Sequence, residues 1–207
     1  MKKLLLFALV FVCTASAFAQ NRHGVILGVS NGWFDCAGKG GITPDYEGYE
    51  PELRKGKLES RPSFNIGYQF QFDIKDTYAI DAALLYQSRG VHVNFRPSSD
   101  RIVDETKRFN AISLHGVFNY KVWNGIKVGA GIEPTRYWKK DYWTNKTLTS
   151  YDYPIVLKAG YDLKFMELSL RYKHGLKPFI EGVGYVLNAK TRDLEISIFV
   201  PLGKIGF

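Results

Sequence analysis

Charged side chains recur at every second position along several stretches of this chain, the spacing at which a strand turns them all to one face. Asp73, Asp81, Glu133, Asp162, Glu167, Asp193 and Glu195 supply carboxylates, and Arg89, Lys121, Lys127, Lys158, Arg171 and Lys173 supply cations. Acids and bases gathered on one enclosed face can exchange protons with a substrate, or they can pair as ions and hold the interior together. Pairing is the expected use, with Asp81, Arg89, Lys127, Glu133, Lys158, Glu167, Arg171 and Glu195 at its centre. Ser113 and His115 also share a face, as a nucleophile and its base would, but that face is the enclosed one, turned away from lipid. His23, His92, His115 and His174 stand at no metal-ligand spacing, and no phosphate loop, Cys-x-x-Cys or zinc signature occurs. No catalytic residue, metal site or cofactor is expected.

The elements that must carry these residues are strands. From Ser63 to Ile74 the alternation is unbroken: Phe64, Ile66, Tyr68, Phe70, Phe72 and Ile74 against Ser63, Asn65, Gly67, Gln69, Gln71 and Asp73. Such a run outlasts the roughly 5–6 residues of a soluble strand and matches the roughly 9–11 that cross a bilayer at a tilt. Weaker versions of the pattern predict eight strands in all, at 24–33, 63–74, 78–93, 109–122, 126–137, 153–163, 166–176 and 192–203.

Their connections alternate in length. Lys75-Asp76-Thr77, Trp123-Asn124-Gly125 and Lys164-Phe165 are short, whereas 34–62, 94–108, 138–152 and 177–191 are long. Short turns at one end and long loops at the other belong to an antiparallel up-and-down transmembrane barrel. In hydrocarbon every backbone polar group needs a partner within the protein, so the sheet must close. The apolar rows then face lipid and the charged rows face inward. Eight strands leave an interior that side chains fill, which closes the barrel to bulk solute.

Composition agrees with this reading. Aromatic residues make up 15% of the chain, with 13 Tyr, 14 Phe and 4 Trp beside 20 Gly, a balance that favours strands and turns. Their positions predict one ring belt of Phe70, Phe72, Tyr78, Phe118, Tyr120, Trp123, Tyr161 and Phe165, and another of Trp33, Phe64, Phe95, Phe109, Tyr137, Trp138 and Tyr153. Residues 1–19 read as a secretory signal peptide: Lys2 and Lys3, an apolar run from Leu4 to Val12, then Ala17-Phe18-Ala19 ahead of cleavage. Residues 20–207 form the barrel domain. Without Lys2 and Lys3 the 28 basic residues fall to 26 against 20 acidic ones, a charge of +6. An exported chain does not meet nucleic acid, so phosphorylated lipid is the expected anionic neighbour. Cys13 lies in the leader, which leaves Cys36 alone and excludes an internal disulfide.

Several short segments resemble a known family. Leu84-Leu85-Tyr86-Gln87-Ser88-Arg89-Gly90, Gly129-Ala130-Gly131-Ile132 and Leu170-Arg171-Tyr172-Lys173-His174-Gly175-Leu176 are similar to strand motifs of the Bacteroidetes outer-membrane barrels called PorT-like, which are eight-stranded barrels of OmpA/OmpX type. Phe18-Ala19-Gln20 fits leaders of that phylum. Glu133-Pro134 departs from the family's fifth strand, and the proline expected around Ile112 to Leu114 is missing. The resemblance implies an outer-membrane barrel of the Gram-negative cell envelope and no catalytic residues. Gly203, Ile205 and Phe207 add an ending like the signal read by outer-membrane assembly machinery. Pro201 predicts a local irregularity just before it.

The expected role is therefore structural or loop-mediated binding. An accessory part in type IX protein secretion, with secretion-system subunits as partners, is the alternative implied by the family, and a lipid-modifying barrel enzyme ranks third. Both termini are expected to be periplasmic. The most distinctive loop runs from Trp138 to Lys146, where Lys139, Lys140, Tyr142 and Trp143 offer cations and rings to lipopolysaccharide.

Overall fold

The computed structural model describes residues 21–36, 57–98, 101–140, 147–182 and 185–205. They form ten ladder segments: β1 (Asn21–Cys36), β2 (Lys57–Lys75), β3 (Tyr78–Ser98), β4 (Arg101–Trp123), β5 (Ile126–Ile132), β6 (Thr135–Lys140), β7 (Thr147–Asp152), β8 (Ile155–Asp162), β9 (Glu167–Gly182) and β10 (Tyr185–Ile205). Every neighbouring pair is antiparallel, and β1 pairs with both β2 and β10, so the sheet closes on itself.

Ten segments make eight staves. β5 and β6 meet β4 in one register, with Gly116 opposite Ile132 and Ser113 opposite Thr135. β8 and β7 meet them in one register too, with Ile132 opposite Ile155 and Thr135 opposite Asp152. Glu133-Pro134 and Tyr153-Pro154 separate the halves, because neither proline has an N–H to give the ladder. The Pro154 carbonyl still accepts from Glu133 N at 2.9 Å. The Thr135 hydroxyl donates to the Glu133 carbonyl at 2.7 Å, filling the place a ladder N–H would take.

Pairing also sets the tilt. Partners followed from His23 through Phe70, Ala82, Gly116, Ile132, Ile155, His174 and Arg192 return to Trp33, ten residues along the first stave. With staves ~4.8 Å apart and ~3.3 Å per residue, that stagger tilts the strands about 40°, as transmembrane barrels require.

Exposure runs opposite to that of a soluble fold. Leu114 is 61% exposed and Ile196 59%, whereas Arg171 and Gln71 are 0% exposed. Bilayer hydrocarbon outside and a polar filling inside is the environment these faces suit.

The eight predicted strands are all present but longer than expected. Much of what reads as loop at 94–108 and 177–191 is ladder: β3 pairs with β4 up to Ser98 and Arg101, and β9 with β10 up to Gly182 and Tyr185. The 21 residues of β3 rise roughly 50 Å at this tilt, about twice an apolar band of ~25 Å. Short turns close the other end. Asn124 and Gly125, at φ 45° and 86°, make the two-residue hairpin whose left-handed pair favours Asn-Gly. The irregularity expected at Pro201 is a register shift between His23 and Gly24, which pair with Gly203 and Pro201.

Phe70, Tyr78, Phe118, Tyr120, Trp123, Tyr161 and Phe165 are exposed near the turn end, and Trp33, Phe64 and Tyr153 near the loop end. Two assignments to the second belt are corrected. Phe109 is 6% exposed and Tyr137 2%, so both point inward. Each sits an even number of residues from Ser113 or Thr135 and shares their inward face. The Phe95 side chain, residues 1–20 and Phe207 lie outside the description.

Candidate functional site

Strand alternation sends the charged rows of all eight staves into one enclosed volume, where the cations and carboxylates meet in layers. At the turn end Lys121 reaches Asp73 at 3.1 Å. Arg22 grips Asp162 with both terminal nitrogens and donates to Gln71 Oε1 at 2.5 Å. Lys127 lies between Asp162, at 3.1 Å, and Glu167, at 2.8 Å. Lys158 contacts both Asp81 and Glu167, and Gln71 donates to Glu167 at 3.3 Å.

The second layer centres on Glu133. One oxygen accepts from Lys173 and from Gln87, each at 2.6 Å, and the other faces His115 Nδ1 at 2.9 Å. Lys173 continues to Glu195 at 2.8 Å, and Arg171 to Glu195 at 3.0 Å. Arg171 also donates to Ser197, which pairs with Ser169 at 2.8 Å. Toward the loop end Arg89 pairs with Asp193 and lies over the Tyr137 ring, 5.5 Å from its centroid. A buried charge without a counter-ion is strongly unfavourable, and here each of these charges has at least one. Between the layers Ile26, Ala83, Leu85 and Phe199 form a small apolar cluster.

Small residues make room for these crossings. A Cβ on Gly32 would lie 1.8 Å from Asp193 Oδ1, so any side chain there would displace the carboxylate that holds Arg89.

The eight residues expected to form the ionic centre all have buried side chains. The structure brings Asp81, Lys158, Glu167 and Lys127 into one chain of contacts and joins Glu133 to Glu195 and Arg171 through Lys173. Arg89 stands apart from both and pairs with Asp193. Ser113 and His115 are not joined: Ser113 accepts from Gln87 at 2.8 Å while His115 faces Glu133. Among the described residues no group of three His, Cys, Asp or Glu side chains is placed to hold a metal. Lys139 and Lys140 sit at the end of β6, paired along the backbone with Leu148 and Thr147. Tyr142 and Trp143 lie outside the described residues.

Two functional carboxylate contacts escaped the sequence reading. Arg22 precedes the expected start of the first strand. Asp152 fell in a stretch read as loop, yet it is 2% exposed. It accepts from the backbone N–H groups of Leu176 and Lys177, at 3.1 and 3.0 Å, and from the Thr191 hydroxyl at 3.1 Å. Continuing the period-2 count through Pro154 would have put Asp152 on the inner face.

Comparison with solved structures finds similar chains. Ail of Yersinia pestis, in complex with the heparin analogue sucrose octasulfate, is 11% identical, with 88% of this chain and 99% of that one covered and a TM-score of 0.48. Neisserial surface protein A is 15% identical, covering 86% and 96%, with a TM-score of 0.49. OprG of Pseudomonas aeruginosa is 13% identical, covering 89% and 95%, with a TM-score of 0.45. No curated protein sequence matches the chain. A family model described as outer membrane protein beta-barrel domain matches residues 18–181. That match takes in most of the chain, from the end of the expected leader to the upper part of β9, and by it the chain belongs to the outer-membrane β-barrel family.

Proposed function

We propose that this outer-membrane barrel is closed to bulk solute and acts by binding at its loop end, with both termini and the short turns in the periplasm. One observation carries the reading: the side chains of Lys158, Glu167, Glu133, Lys173, Glu195 and Arg171 cross the interior and are each buried by their partners. A lumen occupied in this way serves as a core, and variable function on such scaffolds belongs to what projects from it. The tall β3–β4 hairpin and the Lys139–Lys140 end of β6 are the projecting parts. Lipopolysaccharide is the proposed neighbour there, and outer-membrane assembly machinery the partner during biogenesis. The leader, residues 1–19, is proposed to be removed on export.

Planar-bilayer recording of the purified full chain tests the closed interior, with no steady porin-like conductance expected. A stable open channel would overturn it. The PorT-like strand motifs support the secretion alternative, and they carry its test: purification in mild detergent recovers secretion-system subunits if the chain is an accessory of that machinery, and the barrel with lipid if it is not.

A further inference from the structure

Cations on the outer wall are built differently from those inside. Arg136 on β6 is exposed, and its guanidinium carbon lies 5.7 Å from the centroid of the exposed Tyr151 ring. Lys177 on β9 is exposed as well, with Nζ 4.9 Å from the Tyr153 centroid. Tyr151 and Tyr153 are two residues apart on one face of the sixth stave, so the two cations flank a continuous aromatic strip. Among the described residues no carboxylate pairs with Arg136 or Lys177, whereas the interior lysines and arginines are all ion-paired. A ring face orients a cation without neutralising it, which leaves the charge available to an anion.

The wall also changes at this place. β8 pairs with β9 only as far as Ile155 and His174, and among the described residues no ladder joins β7 to β9 above that level. β9 instead shifts register against β10 between Lys190 and Arg192. Asp152 bridges the seam by accepting the N–H groups of Leu176 and Lys177. The shift re-aims Lys177: it shares the odd parity of the inward-facing Arg171, Lys173 and Gly175, yet it is exposed and lies over an outward ring.

Its height fixes the surroundings. Tyr153 is eight residues from Tyr161 at the turn end, a rise of about 20 Å at this tilt, near the far edge of an apolar band of ~25 Å. Directly below lie Ile155 and Leu157, both exposed to hydrocarbon. Phosphate charge at the level of Arg136 and Lys177 would therefore be continuous with acyl chains along the apolar rows beneath.

We propose that Arg136, Tyr151, Tyr153 and Lys177 form a wall site for the phosphorylated sugar headgroup of an outer-leaflet glycolipid. The guanidinium offers a planar fork to a phosphate, the ammonium a second charge, and the tyrosine rings a face for the sugar. Asp152, the carboxylate between the two tyrosines, is buried and engaged by the Leu176 and Lys177 N–H groups and the Thr191 hydroxyl, so it does not offer itself to the ammonium of a zwitterionic headgroup. The site rests on the orientation given above, loop end outward, and is separate from the Trp138 to Lys146 loop.

Native mass spectrometry of the folded full chain in detergent, titrated with bisphosphorylated lipid A, tests it. The Arg136→Gln/Lys177→Gln variant should bind roughly tenfold more weakly, while Lys164→Gln at the turn end should match the parent. Dephosphorylated lipid A should bind parent and double variant alike. Heat-shifted gel mobility reports folding, and Tyr153→Leu, which keeps both charges and removes one ring, should weaken binding about threefold if the double variant does not fold. Equal affinity of the parent and the double variant, or of the parent and Tyr153→Leu where the double variant does not fold, or parent binding indifferent to the phosphates, overturns the site. Channel recording reads closure and maleimide labelling of Cys36 in intact cells reads orientation, each independently, so failure of the wall site leaves those readings to their own tests.

Discussion

Replacing Lys158 by Met probes how the interior is held. The methionine nearly matches the stem in volume, so the change removes charge and leaves packing. Lys158 touches two carboxylates, and they fare differently without it. Glu167 keeps Lys127 at 2.8 Å and Gln71 at 3.3 Å. Asp81 is 0% exposed, among the described residues no other cation pairs with it, and its Oδ1 has no hydrogen-bond partner there. The variant therefore strands one fully buried carboxylate, which costs about 3–5 kcal/mol. Adding Asp81→Asn removes the stranded charge, so the double variant should recover most of that loss. Lys121→Met is the contrast: its pair with Asp73 is partly exposed, 25% and 22%, and pairs of that kind contribute about 0–1 kcal/mol. Equilibrium urea unfolding in lipid vesicles, followed by tryptophan fluorescence, measures all three. A loss below about 1 kcal/mol for Lys158→Met, or no recovery with Asp81→Asn, would refute the claim that the interior depends on this pairing.

Other expectations concern the wall. Leu157→Arg, at the middle of the lipid-facing row, should cost about 2–4 kcal/mol in the same assay, and Trp123→Arg at the rim about 0–1. Gly131→Ala would set a Cβ 1.9 Å from the Gly116 carbonyl oxygen and should destabilise by about 1–3 kcal/mol, as overpacking does. Gly116→Ala meets nothing closer than 3.9 Å and should stay near the parent in urea midpoint. Cys36, at the loop end of β1, should react with a membrane-impermeant maleimide in intact cells, and labelling only after the outer membrane is opened would reverse the orientation.

Strand identity and inward parity were legible because hydrocarbon forces strict alternation: a charge on the wrong face of 63–74 or 193–203 would meet lipid. Strand ends were not. A ladder that outruns an apolar band of ~25 Å is under no such constraint, and the backbone pairing that continues from Val91 and Lys107 to Ser98 and Arg101 does not depend on alternation. Ring placement failed at Phe109 and Tyr137 because residue type outweighed parity in assigning them to a belt. Charge rows identified the interior ions, but the choice of partners could not be read from one strand at a time. Glu133 meets Lys173 across a register that joins the fifth, sixth and seventh staves, and only the ten-residue stagger of the closed ring brings Arg89 to Asp193.

The closing ladder has a consequence in time. Asn21 pairs with Ile205, so the two edges that seal the barrel are 184 residues apart in sequence. Hairpins such as β3–β4 can zip locally as they emerge, but β1 has no second partner until β10 has been made and delivered. Closing that seam spans the largest sequence separation of any described ladder, and pairings so far apart in the chain carry the greatest loop-closure cost and form slowly.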